Sequence, residues 1–258
     1  MALPHSTSPL IAFPAGNYSY LPGGFQYSAA VKADAGHTIE RARFERPVPL
    51  AEGFARVREH LLASGRPLTA LCACELRSPG PVDEPEFIAF NRSYVQPLAD
   101  WGLFRDEKNP VARCNLIPAV APPRVPSFYA FSYTVPVAVR TAIPDFVTSG
   151  AAECPDRPGY RDNIVRLGET TPDALLDKLR FALGDLEARF AGMGVHWSDV
   201  TSMSLYSVRD LHHAMDREFG RRGALAGGLA WHWVSPPITD LEIEIDARRV
   251  TRELLLPV

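Results

Sequence analysis

The chain has 258 residues, 46% of them apolar and 22% charged, with a formal net charge of −3. That length suits one large domain or two ordinary ones, and the slight acidity leaves no basic footprint for a nucleic-acid partner. No run approaches eighteen apolar residues and MALPHSTSPL lacks the regions of a secretory leader, so a cytoplasmic protein without a membrane partner is expected.

From the N-terminus, PVPLAEGFARVREHLLASG predicts a helix: Leu50, Phe54, Val57 and Leu61 recur at steps of four and three, and Gly65 ends it. LTALCACEL then alternates as a strand, which makes Cys72 and Cys74 packing residues. With Cys114 and Cys154 they form no pair at zinc spacing, and no HExxH is present, so no metal is expected. A second helical pattern carries Phe87, Tyr94, Leu98 and Trp101. Two extended runs follow, RCNLIPAVA and SFYAFSYTV, around PPRVP.

After YTVPVAV the plan repeats. ETTPDALLDKLRFALGDLEARFAGMG predicts a long helix with Thr171 as N-cap, Pro172 in first position, and Gly192 and Gly194 as its stop. Leu175, Leu179, Leu183, Leu186 and Phe190 form its stripe. VTSMSLYSV is a strand, and Leu211, Met215 and Phe219 mark a second helical stretch. There the neighbouring His212 and His213 diverge as surface residues. LAWHWVS and LEIEIDARRV close the chain around PPITD. Leu50 and Leu175 lie 125 residues apart, half the chain, as a tandem repeat requires. The expected fold class is α+β: two tandem domains, 1–135 and 136–258, each with two helices on one face of a mixed sheet and a closing β-hairpin. Such open sheets need partners, so a closed homo-oligomer is expected, most simply a trimer.

The local text resembles the Rid (YjgF) family of imine and enamine deaminases. GNYS at 16–19 resembles that family's N-terminal GPYS. RCNLIPAVAPP resembles its arginine, alternating strand and closing proline, with the same spacing from Arg113 to Pro122. FVTSGAAE resembles its strand ending in SG, and LEIEIDA its C-terminal EIEA strand. The resemblance covers nearly the whole chain as two degenerate copies. It implies chorismate mutase-like domains around a threefold or pseudo-threefold axis, with sites in clefts between adjacent domains. It also implies cofactor-free hydrolysis of a 2-imino or 2-enamino acid to a 2-keto acid and ammonia. In that chemistry the arginine binds the substrate carboxylate and a terminal-strand glutamate handles the water.

The two copies depart from the pattern in complementary ways. Only the first carries the arginine; the second has AGGLA, near Gly227 or Gly228, in its place. Fifteen residues beyond Arg113 stands Phe128, whereas fifteen beyond Gly227 stands Glu242. Within one hairpin, position 128 would lie more than ~15 Å from Arg113 at about 3.3 Å per residue. One composite site across the two halves is therefore expected.

Arg113 is the candidate carboxylate clamp, its planar fork matching a carboxylate, against a surface ion pair. Glu242 is the candidate acid/base, with Glu244 in reserve, against a solvated strand face. Tyr18 is a candidate to close the site, against an ordinary loop tyrosine. Asn115 shares a strand face with Arg113 and is a better contact than the adjacent Cys114. Trp231 and Trp233 are candidates to line a flat pocket, against core packing. Ser149 and Gly150 offer backbone groups. The expected function is deamination of an enamine or imine carboxylic acid, best matched by a 2-aminomuconate of aromatic-ring degradation. A chorismate-type hydrolase and a non-catalytic small-carboxylate binder are the alternatives.

Overall fold

A computed structural model describes residues 8–138 and 142–258. Most of the stretch read for a leader, residues 1–7, thus lies outside the described residues. In chain order the strands are β1 (Ile11–Phe13), β2 (Tyr18–Leu21), β3 (Ala30–Ala33), β4 (His37–Pro49), β5 (Leu71–Arg77), β6 (Ala112–Pro118) and β7 (Ser127–Pro136) in the first half. The second half contributes β8 (Phe146–Thr148), β9 (Ala151–Ala152), β10 (Ser202–Tyr206), β11 (Leu229–His232), β12 (Val234–Ser235), β13 (Glu244–Arg249) and β14 (Arg252–Leu256). Helices α1 (Leu50–Ala63) and α2 (Glu84–Asp100) belong to the first half, and α3 (Tyr160–Asn163) and α4 (Pro172–Met193) to the second.

The helices form where the apolar stripes require them. Phe54, Val57 and Leu61 of α1 are buried. Helix α2 opens with a reciprocal capping box between Asp83 and Glu86 and buries Phe87, Tyr94, Val95 and Leu98, with the polar Asn91 on the same stripe. In α4 the Thr171 side chain caps Ala174 N–H, and Gly194 ends the helix in the left-handed region at φ 71°, while Gly192 stays inside it. The second helical stretch of the C-terminal half differs from expectation. It is a short 3₁₀ turn, His212–Ala214, running into a single π-helical turn, Met215–Gly220. Its anchors Leu211 and Phe219 are nonetheless buried against α4.

Two mixed sheets result, one ordered β12-β6-β5-β7-β4-β14 and the other β1-β2-β3-β8-β13-β10-β11, with β9 also on β13. The repeat is visible in the pairing. Strand β5 has β6 parallel on one side and β7 antiparallel on the other, and β10 has β11 parallel and β13 antiparallel. The closing pair of runs in each half is therefore no hairpin: the proline-rich turn carries the chain across the central strand instead of folding it back on its neighbour. Residue 136, the expected boundary, falls at the end of β7. Strands are exchanged across it, since β1–β3 extend the second sheet while β12 and β14 extend the first.

Each sheet carries its helices on its outer face. The inner faces meet in an apolar cluster that includes Tyr18, Tyr20, Val31, Cys72, Ala112 and Val147. Beside it runs a buried polar layer, in which Arg41 holds Glu75 with two hydrogen bonds of 2.6 and 2.7 Å, and Tyr206 donates to Asp246 at 2.6 Å. Strand alternation explains the layer: Ile245 and Ala247 pack toward α4, while Glu244, Asp246 and Arg248 lie on the opposite, inner face.

Candidate active site

The site lies where the edge of the first sheet meets the second half. Strand β6 runs into the β8–β9 connection: the Arg113 N–H donates to Ser149 Oγ at 2.8 Å, and Gly150 N–H donates to the Arg113 carbonyl at 3.2 Å. Ser149 Oγ in turn donates to the Ser28 carbonyl at 2.5 Å. A pocket with about 530 Å³ of empty space, part of it open solvent, adjoins this junction. Arg113, Asn115, Gly150, Glu244 and Arg189 supply its polar wall, and Phe87, Pro237, Ile238 and Leu241 an apolar one.

Arg113 is only 4% exposed, yet among the described residues no carboxylate pairs with it. One N–H donates to Asn91 Oδ1 at 2.6 Å. Four rings surround the guanidinium, Tyr94 at 4.9 Å, Tyr27 at 5.1 Å, Phe87 at 5.6 Å and Phe90 at 5.9 Å. A buried cation held by one neutral acceptor and by ring faces has donors to spare for an anion.

Glu244 faces this cation from the other half of the chain. Burial pushes its carboxyl up to about 7; Asp246 adds to the rise, while the Cys114 hydrogen bond and the charges of Arg113 and Arg189 work against it. Its single hydrogen bond among the described residues comes from the Cys114 thiol, 3.1 Å from Oε1. Burial also pushes the Cys114 thiol well up, so it is the neutral donor of the pair. Gly150 presses on the same oxygen: a Cβ there would stand 1.7 Å from Oε1. Arg189 of α4 is 7% exposed and donates to the Ser149 carbonyl at 2.7 Å, fixing the glycine's segment from below.

The structure thus brings Arg113, Cys114, Asn115, Ser149, Gly150 and Glu244 together and keeps four other candidates apart. Glu242 precedes β13 and is turned out of the pocket. Its side chain pairs with Arg209 at 2.7 Å, while its own N–H and that of Ile243 donate to the buried Glu153. The register on the last strand is two residues later than expected, because the strand is regular only from Glu244 onward. Tyr18 is fully buried between the sheets and donates to the Leu71 carbonyl at 3.0 Å. Alternation along β2 points it into the core. Trp231 donates to the Ser207 carbonyl and lies against His212, and Trp233 is 60% exposed; neither lines the pocket.

Tyr27, Asn91 and Arg189 were missed. Asn91 and Arg189 had a signal, since each is a polar residue on or beside the apolar stripe of its helix; Tyr27 had none. Among the described residues no three His, Cys, Asp or Glu side chains come together as a metal site would need, and no helix is long and apolar enough to cross a membrane.

The family model described as "2-aminomuconate deaminase CnbZ" matches residues 10–254. The chain belongs to this family. A 2-amino-5-chloromuconate deaminase of Comamonas testosteroni is 45% identical to this CnbZ-family chain over 249 residues, 95% of this chain and 98% of that protein. Among solved structures, the YjgF gene product of E. coli matches 43% of this chain and 84% of its own length at 19% identity and a TM-score of 0.32. E. coli TdcF with bound serine matches 41% of this chain and 80% of its own at 20% identity and a TM-score of 0.31. A chorismatase matches 85% of this CnbZ-family chain and 77% of its own at 12% identity and a TM-score of 0.44.

Proposed function

We propose that the chain is a deaminase of 2-aminomuconate or a substituted 2-aminomuconate, hydrolysing the C–N bond without a cofactor in the degradation of aromatic compounds in the cytoplasm. One observation carries the reading. A buried guanidinium with no carboxylate paired to it among the described residues and a carboxyl whose pKa is pushed up to about 7 line the same pocket, and they come from opposite halves of the chain. The first suits the carboxylate beside the amino-bearing carbon. The second is populated in both protonation states at neutral pH, as a group that must both accept and return a proton requires.

Protonated Glu244 gives its proton to carbon, turning the enamine into the iminium. The resulting carboxylate takes a proton from water as the oxygen adds to the C=N carbon, and Glu244 then passes that proton to the nitrogen. The Glu244 carboxylate takes the hydroxyl proton as the tetrahedral adduct collapses: the C–N bond breaks, ammonia leaves, the 2-keto acid remains in equilibrium with its 2-hydroxy-enoic form, and Glu244 is again protonated. The net change is one water consumed and one ammonia released. Phe87, Ile238 and Leu241 suit a flat, conjugated chain.

The test is ammonia release from a panel of 2-amino-unsaturated dicarboxylates compared with 2-iminobutyrate. Turnover confined to the dicarboxylates supports the reading. Binding without ammonia release in the wild-type protein turns it into that of a carboxylate-binding protein. We also infer a closed ring of three chains, checked by light scattering at micromolar concentration; a monomer refutes it.

A further inference from the structure

We propose that Cys114 is the positioning residue of Glu244: its thiol holds one carboxylate oxygen across the junction of the two sheets and leaves the other for the reacting water. This rests on Glu244 being the acid/base of the proposed function.

The geometry that points to it has two parts. The thiol lies 3.1 Å from Oε1, with Cys114 itself 4% and Glu244 7% exposed, so the contact is largely shielded from bulk solvent. On the other side, the Gly150 backbone packs so closely that a Cβ would stand 1.7 Å from Oε1, 2.4 Å from Cδ and 2.8 Å from Cγ. Carboxylate and side-chain stem are thus wedged between a donor from the first half and a glycine from the second. Oε1 has its partner, and no other hydrogen bond reaches the carboxylate among the described residues. Arg113 and Asn115 point to the outer face of β6, so Cys114, on the opposite face, cannot be a contact to the substrate carboxylate through the same side of the strand.

The groups around Glu244 set the direction of the effect. The Cys114 thiol touches it from β6, Asp246 lies on its own strand, and the charges of Arg113 on β6 and Arg189 on α4 act on it; Tyr206, paired with Glu244 on β10, is committed to Asp246. The partner β9 brings only alanines, Ala151 and Ala152. A thiol donating to the carboxylate favours its ionised form. Losing that donor makes Glu244 harder to ionise and frees it to leave the wedge.

The experiment compares Cys114→Ala, Cys114→Ser and Glu244→Gln in the full-length protein, with ammonia release from 2-aminomuconate followed against pH. Folding of each variant is checked by its thermal transition. The expected result for Cys114→Ala is a shift of the ionisation limb of kcat/KM to higher pH by about one unit, a tenfold change in the ionisation equilibrium. It also includes a fall in kcat of about 10-fold or more with KM little changed. Cys114→Ser restores the limb, because its hydroxyl also donates. A folded Cys114→Ala protein with the wild-type pH profile and kcat overturns the proposal, as does a serine variant no better than alanine. Glu244→Gln separates the two levels. If it is inactive while Cys114→Ala is normal, the acid/base reading stands and the positioning role falls. If Glu244→Gln is fully active, the acid/base reading itself falls and the positioning role falls with it.

Discussion

Gly150→Ala tests the arrangement of the site with the smallest possible change. The added methyl would stand 1.7 Å from Glu244 Oε1 and 2.4 Å from its Cδ, against an ordinary van der Waals separation of roughly 3.5 Å. The carboxylate must therefore retreat by about 1.5–2 Å, enough to carry Oε1 out of reach of the Cys114 thiol. What moves is the end of a side chain and not backbone, so the fold loses little, at the lower end of the ~1–3 kcal/mol typical of overpacking. The chemistry loses more. A misplacement of about 1 Å costs on the order of 10²-fold, and complete loss of acid/base assistance roughly 10²–10⁴-fold, so kcat for ammonia release should fall within that range. KM should change little, because Arg113 stays where it is. Steady-state kinetics beside a thermal melt decide the matter. A folded variant with wild-type kcat would show that the wedge does not hold the working acid.

Arg113→Ala should weaken carboxylate binding by about 2–5 kcal/mol, and Arg113→Lys should recover little of it, since a point charge does not reproduce the fork; calorimetric titration with a non-hydrolysed dicarboxylate measures both. Glu244→Gln should lower turnover roughly 10²–10⁴-fold with ligand affinity nearly intact, whereas Glu242→Gln, which loses only a half-exposed pair with Arg209, should remain within about 2-fold of wild type. Lys178→Met should destabilise the protein by about 3–5 kcal/mol, because it leaves the fully buried Glu153 without its cation. Burial already raises the Glu153 pKa, so its folded value lies above its unfolded one. Protonation then favours the folded state, and stability is lost as pH rises. The deficit of Lys178→Met in thermal melts should thus be larger at about pH 8 than at about pH 5.

Much of this was legible before the structure because local pattern carries it. The stripes of α1, α2 and α4, the Thr171 cap and the alternation of β13 follow from side-chain periods of 3.6 and 2 that need no tertiary context. The 125-residue repeat gave the two-half plan, and the unequal inheritance of arginine and glutamate led to the expectation of one pocket lined from both halves. What failed was non-local. Two extended runs joined by a proline turn look like a hairpin, and only the third strand between them shows otherwise. Alternation assigned Glu242 and Glu244 to one face but could not tell where regular strand begins. Here Glu153 captures the N–H groups of 242 and 243, and the side chain of 242 turns outward. Tyr18 sits on a strand that joins the other half's sheet, an exchange without any local signature.

That exchange builds the site as well as the fold. Because β3 pairs with β8 in the second sheet, the residue just before β3, Ala29, accepts the Ser149 N–H at 3.0 Å. Ser28 then bridges to Ala112 and receives the Ser149 hydroxyl, and Tyr27 comes to lie 5.1 Å from the Arg113 guanidinium. Had β1–β3 stayed in their own half's sheet, Arg113 would lose one of its four rings, and Ser149 the carbonyl that orients it. The other possible pairing of halves lacks its parts, since β11 (Leu229–His232) brings no arginine and β7 (Ser127–Pro136) no carboxylate. One half thus brings the guanidinium to the pocket and the other the carboxyl. The interlocked strands also mean that neither half can detach to leave its share behind. A pocket built this way is assembled by the same event that folds the chain.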